Sequence, residues 1–232
     1  MKSVLTNDDG VDAPGLQALY SALKGTGEIK VVAPLESHFA MGHGVTFRSP
    51  LKVKEIEEHR FSVDGTPADC TRLALKVVFP EADWVIAGIN PGANLGSDVY
   101  QSGTVAAARE AAILGCRAIA ISQYVAKDHQ IDWDITKHHA ESILKMLLKK
   151  HLDQGCFWNV NLPHPLHYGP NIEYVYCDID PHPHHYQYRK EGDGYVYEGT
   201  IHDRPRDPGR DVDACFGGKV SISRIPITPN AR

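Results

Sequence analysis

The sequence predicts an α/β protein built on a doubly wound, mostly parallel sheet, and three observations carry that reading. Short β-branched runs alternate with helical periodicity through the first 163 residues, the pattern of successive βαβ units. The 232 residues are 42% apolar and 23% charged, which suits one large core, or a core with a smaller appendage, and excludes disorder, collagen and coiled coil. Polar and glycine-bearing motifs gather where strands end, the place where open α/β sheets bind ligands.

The elements follow in order. Ser3–Thr6 reads as the first strand. Asp12-Ala13-Pro14 supplies an N-cap and a proline near the first turn, and Leu16, Leu19 and Leu23 share one face of a helix ending near Gly25. Ile29–Pro34 is the second strand, followed by a Ser-, His- and Gly-rich loop to about Gly44 and a mixed segment, Val45 to Val63, whose alternation suggests short strands. Thr66-Pro67-Ala68-Asp69 opens a second helix: the threonine caps, the proline takes the first position, and the aspartate reaches back to free N–H groups. Leu73, Ala74 and Val77 are its expected buried face. Trp84–Gly88 is a buried strand opening into the loop Ile89–Gly96. Ser102-Gly103-Thr104 precedes an alanine-rich helix to about Leu114, Ala118–Ser122 is another core strand, and Ile135, Ile143, Met146 and Leu147 mark the next helix. Beyond Phe157–Pro163 the periodicity stops and Pro, His, Tyr and Gly dominate. The division expected is a core over 1–163 and, over 164–232, an extended arm with strands such as Lys219–Ser223 that packs on a partner subunit.

Charge and cysteine usage exclude several functions. With 24 Lys and Arg against 29 acids, a net charge of -5, counterion-release binding to a nucleic acid has no support. Five widely spaced cysteines without a C-x-x-C read as free thiols in a reducing cytosol. The start of the chain is too short and acidic for a signal peptide, and no run of about 18 apolar residues follows. A cytoplasmic protein with neither a nucleic-acid nor a membrane partner is expected.

The chemistry lies in the strand-end loops. A dinucleotide-binding protein would place glycines after the first strand, whereas this chain has Asn7-Asp8-Asp9-Gly10. Adjacent carboxylates repel a phosphate, and a divalent cation with a taste for hard oxygen ligands removes the conflict. Asn90 and Asn94 offer neutral oxygens or phosphate donors after another core strand, and Ser102-Gly103-Thr104 offers free N–H groups and two hydroxyls at a helix start. Each motif alone also reads as ordinary turn or cap chemistry. Together they describe a metal-assisted phosphate site.

The blocks Leu5–Gly10, Gly65–Cys70, Gly88–Val99, Ser102–Ala108 and Asn159–Pro163 resemble, in order and spacing, the stationary-phase survival protein SurE family. The resemblance implies a Rossmann-like core, a β-rich C-terminal arm used in homodimer or homotetramer assembly, and a metal-dependent phosphatase of 5′-nucleotidase type acting on nucleoside monophosphates. Carried over by position, Asp8, Asp9 and Asn90 would hold one Mg2+ or Mn2+, Asp8 or Asp9 would place the attacking water, and Asn94, Ser102, Gly103 and Thr104 would contact the phosphate. The tail matches more weakly, chiefly at Asp211 and Val220-Ser221-Ile222. One departure matters: where the family has a metal-ligating serine, the gapless match puts Phe39. Ser37, His38 or water would then fill that position, or the ring narrows the pocket and leaves a catalytically impaired nucleotide-binding or scaffold protein. His182-Pro183-His184-His185 reads as a solvated turn for want of a carboxylate nearby, and His138-His139 faces two ways on a helix. Tyr186, Tyr188, Tyr195 and Tyr197 read as arm packing rather than a base platform.

Overall fold

Alternation of side chains along four apolar runs decides the layers. Val4, Val32, Val85, Ala118 and Ala120 point to one face of a sheet, and Leu5, Val31, Ile86, Ile119 and Ile121 to the other, as the period of two requires. A strand buried on both faces needs a helix on each. The computed structural model, which describes residues 1–38, 40–166, 172–184, 186–199 and 204–228, supplies them.

Strands β1 (Lys2–Thr6), β2 (Glu28–Pro34), β3 (Val53–Glu57), β4 (Arg60–Val63), β5 (Trp84–Pro91), β6 (Arg117–Gln123), β7 (Cys156–Leu162), β8 (Tyr174–Tyr176) and β11 (Val220–Pro226) form one nine-stranded sheet in the order β3-β4-β2-β1-β5-β6-β7-β11-β8. From β4 to β7 every neighbour pair is parallel, while β3 runs antiparallel to β4, β11 antiparallel to β7, and β8 parallel to β11. Helices α1 (Pro14–Leu23) and α4 (Trp133–Leu147) cover the Leu5 face, and α2 (Pro67–Leu73) and α3 (Gly103–Ile113) the Val4 face. The α/β, mostly parallel architecture is the one expected. A short helix α5 (Asp211–Phe216) precedes β11, and β9 (Tyr188–Glu191) and β10 (Gly194–Tyr197) make a separate, exposed antiparallel ribbon.

Two local expectations fail. The residue capping α1 is Ala13, with no side-chain bond; Asp12 instead pairs with Arg60 at 2.5 Å, across elements. Val77 is 65% exposed, because α2 stops at Leu73 and continues as a π-helical turn, Ala74–Val78. The extra residue in that turn rotates the apolar face by one position, so Leu75 is buried in place of Val77, while Ala74 is buried as expected.

The arrangement positions a site. From β1 the order runs toward β2 on one side and β5 on the other, so the strand order reverses beside β1. The crevice this opens lies beyond the carboxyl ends of β1 and β5. Thr6 pairs with Ala87 across it, so Asp8-Asp9 and Asn90 emerge from the same edge.

Candidate active site

Asn7 shapes the first loop. Its side-chain amide donates to the Gly10 carbonyl at 2.8 Å and its oxygen accepts from the Gly10 N–H at 3.3 Å, a local turn that asparagine favours. Asp8 and Asp9 are the residues the turn presents. The Thr104 hydroxyl donates to the buried Asp8 carboxylate. A Cβ built on Gly103 would stand 2.8 Å from Asp8 Oδ2, so only glycine lets the start of α3 come this close. Ser102 caps α3, accepting from the Val105 N–H at 3.0 Å, while the Gly103 N–H has no acceptor among the described residues. Asp8 and the Ser102-Gly103-Thr104 motif are thus brought together.

Asp9 is the exception among the acids. Its Oδ2 is buried with no hydrogen-bond partner among the described residues. Burial first, and the Asp8 charge second, push its carboxyl up to about 7 from 3.8. Burial also raises Asp8, against the bonds from Thr104.

Gly88 sets the second loop. With φ at +142 and Ile121 O 2.2 Å from where a Cβ would stand, it bends β5, and the pairing with β6 shifts register between Ala87 and Asn90. The Asn90 amide nitrogen donates to the Gly92 carbonyl at 2.7 Å, which leaves its oxygen to face other donors or a cation. Asn94 sits elsewhere on this edge, over β6 and β7. Its side chain donates to Ser122 Oγ at 2.7 Å, its N–H to Asn161 Oδ1 at 2.7 Å, and its carbonyl accepts from Asn159 at 2.8 Å and Asn161 at 3.1 Å.

Several supporting residues, some of them inside the blocks quoted above, receive no role from sequence reasoning. Asn159 and Asn161, two apart on a buried strand, do carry a signal: polar residues on one face of an apolar run mark something to be held. Asp211 carries no local signal. Buried, it accepts from Gly96 N–H at 2.7 Å, Asp180 N–H at 2.7 Å and Val212 N–H at 2.8 Å. Asp98 takes Arg204 at 2.6 Å and His184 at 2.7 Å. The reading of the histidine run as a solvated turn is corrected here: the fold brings His182 a carboxylate, Asp180, at 2.8 Å, and His184 another. Tyr186, Tyr188, Tyr195 and Tyr197 are exposed and pack partly on one another. Phe39 and His185 lie outside the described residues. Of the stand-ins for the family serine, Ser37 is exposed, whereas the His38 N–H bonds the Asp8 carbonyl at 2.7 Å.

The donor set suits a hard divalent ion: two adjacent carboxylates, an orphaned buried oxygen and a neutral amide oxygen from the neighbouring strand end. Among the described residues there is no group of three or more His, Cys, Asp and Glu side chains placed to hold a metal, so a site here has to be completed by neutral oxygens or water. No described helix is long and apolar enough to cross a membrane.

A family model for survival protein SurE matches residues 3–179. The chain belongs to the SurE family. A protein of Synechocystis sp. is 46% identical over 227 residues, spanning 98% of this chain and 100% of that one. The 5′-nucleotidase SurE of Paramagnetospirillum magneticum is 36% identical over 232 residues, spanning 97% and 89%. The crystal structure of SurE protein from Aquifex aeolicus superposes with a TM-score of 0.83 at 32% identity, covering 98% of this chain and 94% of that one. SurE membership agrees with the blocks quoted from the sequence.

Proposed function

We propose that this chain is a metal-dependent phosphatase that hydrolyses nucleoside monophosphates to nucleoside and phosphate. The family and relatives named 5′-nucleotidase support a phosphatase or nucleotidase function. The observation that carries the finer reading is the orphaned Asp9 Oδ2 beside Asp8, at the point where the start of α3 closes on the Asp8 carboxylate.

In this reading Asp8, Asp9 and the Asn90 oxygen hold one Mg2+ or Mn2+. When bound, the ion supplies the positive charge that lets two carboxylates and a phosphate share one crevice. Thr104 fixes the rotamer of Asp8. The Gly103 N–H and the positive end of α3 bind the phosphoryl oxygens and stabilise the charge that builds on them, and Ser102 holds that helix start in shape. The Asp9 carboxylate oxygen not given to the ion accepts a hydrogen bond from the attacking water and takes its proton as the water attacks phosphorus in line with the ester oxygen, which departs with a proton from solvent. Asn94, locked by Asn159 and Asn161, contacts the phosphate from the β6–β7 side. Of the C-terminal region, the exposed β9–β10 ribbon serves homo-oligomer assembly, since α5, β8 and β11 are built onto the sheet.

The test is phosphate release from a panel of nucleoside 5′- and 3′-monophosphates after chelation, with Mg2+, Mn2+ or no metal restored and Asp8→Asn as control. Metal-dependent release, lost in the control, is the expected result. Nucleotide binding without release under any metal would overturn it in favour of a binding protein impaired at Phe39.

A further inference from the structure

Glu110 is a buried carboxylate in the middle of α3, a helix otherwise filled on that side by alanines. It stands seven residues after Gly103, hence on the same helix face and about 10 Å along the axis, too far to touch a phosphate at the helix start. Both its oxygens are engaged: Arg72 Nε at 2.5 Å on Oε1, and His43 Nε2 at 2.7 Å on Oε2. Burial alone would raise its carboxyl, but the His43 and Arg72 bonds outweigh it and hold the group below its ordinary value.

His43 is fixed from its other side as well. The Arg109 guanidinium lies 3.3 Å from Nδ1 and can only donate, so Nδ1 is an acceptor and Nε2 carries the proton given to Glu110. The ring is thereby held as one neutral tautomer between a cation and an anion. The loop bearing it begins on the His38 N–H bond to the Asp8 carbonyl, continues through the Gly42 N–H bond to the Gln101 carbonyl at 3.0 Å, and leaves through Gly44, whose carbonyl accepts from Thr66 at 2.7 Å. It therefore runs from the acidic side of the crevice to the residue preceding Ser102.

We propose that His43 and Glu110 are positioning residues: the pair anchors residues 40–46 to α3 and so keeps the His38 bond to Asp8 and the phosphate-binding helix start in register. The kinetic consequence rests on the phosphatase reading; the anchoring itself does not. Because the pair acts on the phosphate end, its loss affects a nucleotide and a small phosphate ester alike.

The experiment compares His43→Phe, which keeps the ring shape without either bond, with His43→Gln, whose amide restores one donor and one acceptor. In the phenylalanine variant kcat/KM falls about tenfold or more on both a nucleoside monophosphate and p-nitrophenyl phosphate. The glutamine variant stays within about threefold of wild type, and both keep the wild-type unfolding midpoint within a few degrees. Amide exchange gives a readout independent of turnover: the His38 and Gly42 amides lose about tenfold or more of their protection in His43→Phe and regain it in His43→Gln. In the wild type, 15N shifts of the ring report a protonated Nε2 and a bare Nδ1. Unchanged exchange in His43→Phe, equal losses in both variants, or unchanged kcat/KM despite lost protection would each overturn the proposal. Absence of any hydrolysis by the wild type would remove the phosphatase reading and leave the exchange contrast to decide the anchor.

Discussion

Replacing Asp9 by asparagine should stabilise the chelator-treated protein while abolishing turnover. The Asp9 carboxyl titrates at about 7 in the fold against 3.8 ordinarily, through burial and then the Asp8 charge. The folded state thus holds this proton more tightly than the unfolded chain, so ionising Asp9 weakens the fold as pH rises from about 4 through about 7. By linkage the penalty reaches at most about 4 kcal/mol at pH 7.5, less as solvent screens the partly exposed carboxyl, and falls below about 2 kcal/mol at pH 5. Asparagine removes the charge but brings amide N–H donors into a place where the carboxylate had none, at about 1–3 kcal/mol. The net gain at pH 7.5 is then at most roughly 1–3 kcal/mol, several degrees in midpoint for a chain of this size. Thermal and denaturant unfolding of both proteins in chelator, at pH 7.5 and pH 5, measure it. A variant no more stable than wild type at pH 7.5, or one whose advantage persists undiminished at pH 5, would refute the reasoning.

Other expectations follow from the same geometry. Adding Mg2+ or Mn2+ should raise the unfolding midpoint of the wild type and move that of Asp9→Asn much less, since only binding to the folded state stabilises it. Gly103→Ala puts a methyl 2.8 Å from Asp8 Oδ2; kcat/KM should fall about a hundredfold while circular dichroism shows an intact helix. Asp211→Ala leaves the Gly96, Asp180 and Val212 N–H groups without their acceptor, a loss of roughly 3–5 kcal/mol in urea unfolding, and Asp211→Asn should recover part of it. Asn161→Ala frees the Asn94 N–H and one bond to its carbonyl, so KM for phosphate esters should rise with a smaller change in midpoint.

The core strands β1, β5, β6 and β7 were legible because each is buried on both faces, which writes near-continuous apolar runs such as Trp84–Ala87 into the chain. The second helix start was legible because its cap is local: Thr66 and Asp69 bond each other's backbone N–H groups, as the motif requires. What local sequence could not carry was anything settled by a distant partner. Asp12 looked like a cap, but Arg60 is 48 residues away. Val77 kept helical phase with Leu73, but burial of Phe79 goes with a π-turn that the periodicity does not encode. For the site, Asp8-Asp9 and Ser102-Gly103-Thr104 were each visible as motifs. Their meeting depended on β5 lying beside β1, a fact of sheet order, and Glu110 and Asp211 depended on contacts 67 and 115 residues apart.

The buried acids make the argument for the candidate site when taken together. Asp69, Glu110, Asp180 and Asp211 are each at most 1% exposed, more deeply buried than Asp8 at 6%. Each is answered from within the chain: Asp69 by Thr46 and Thr66, Glu110 by Arg72 and His43, Asp180 by Asp207 and His182, Asp211 by three backbone N–H groups. Burial therefore does not distinguish Asp9. What distinguishes it is that the same fold, which satisfies four other acids with hydroxyls, guanidinium and amides, turns none of them toward its Oδ2. An unanswered carboxylate beside a second one keeps its charge at least cost with a partner from outside the chain, and the partner whose charge and oxygen preference match the neighbouring Asp8 and Asn90 is a divalent cation.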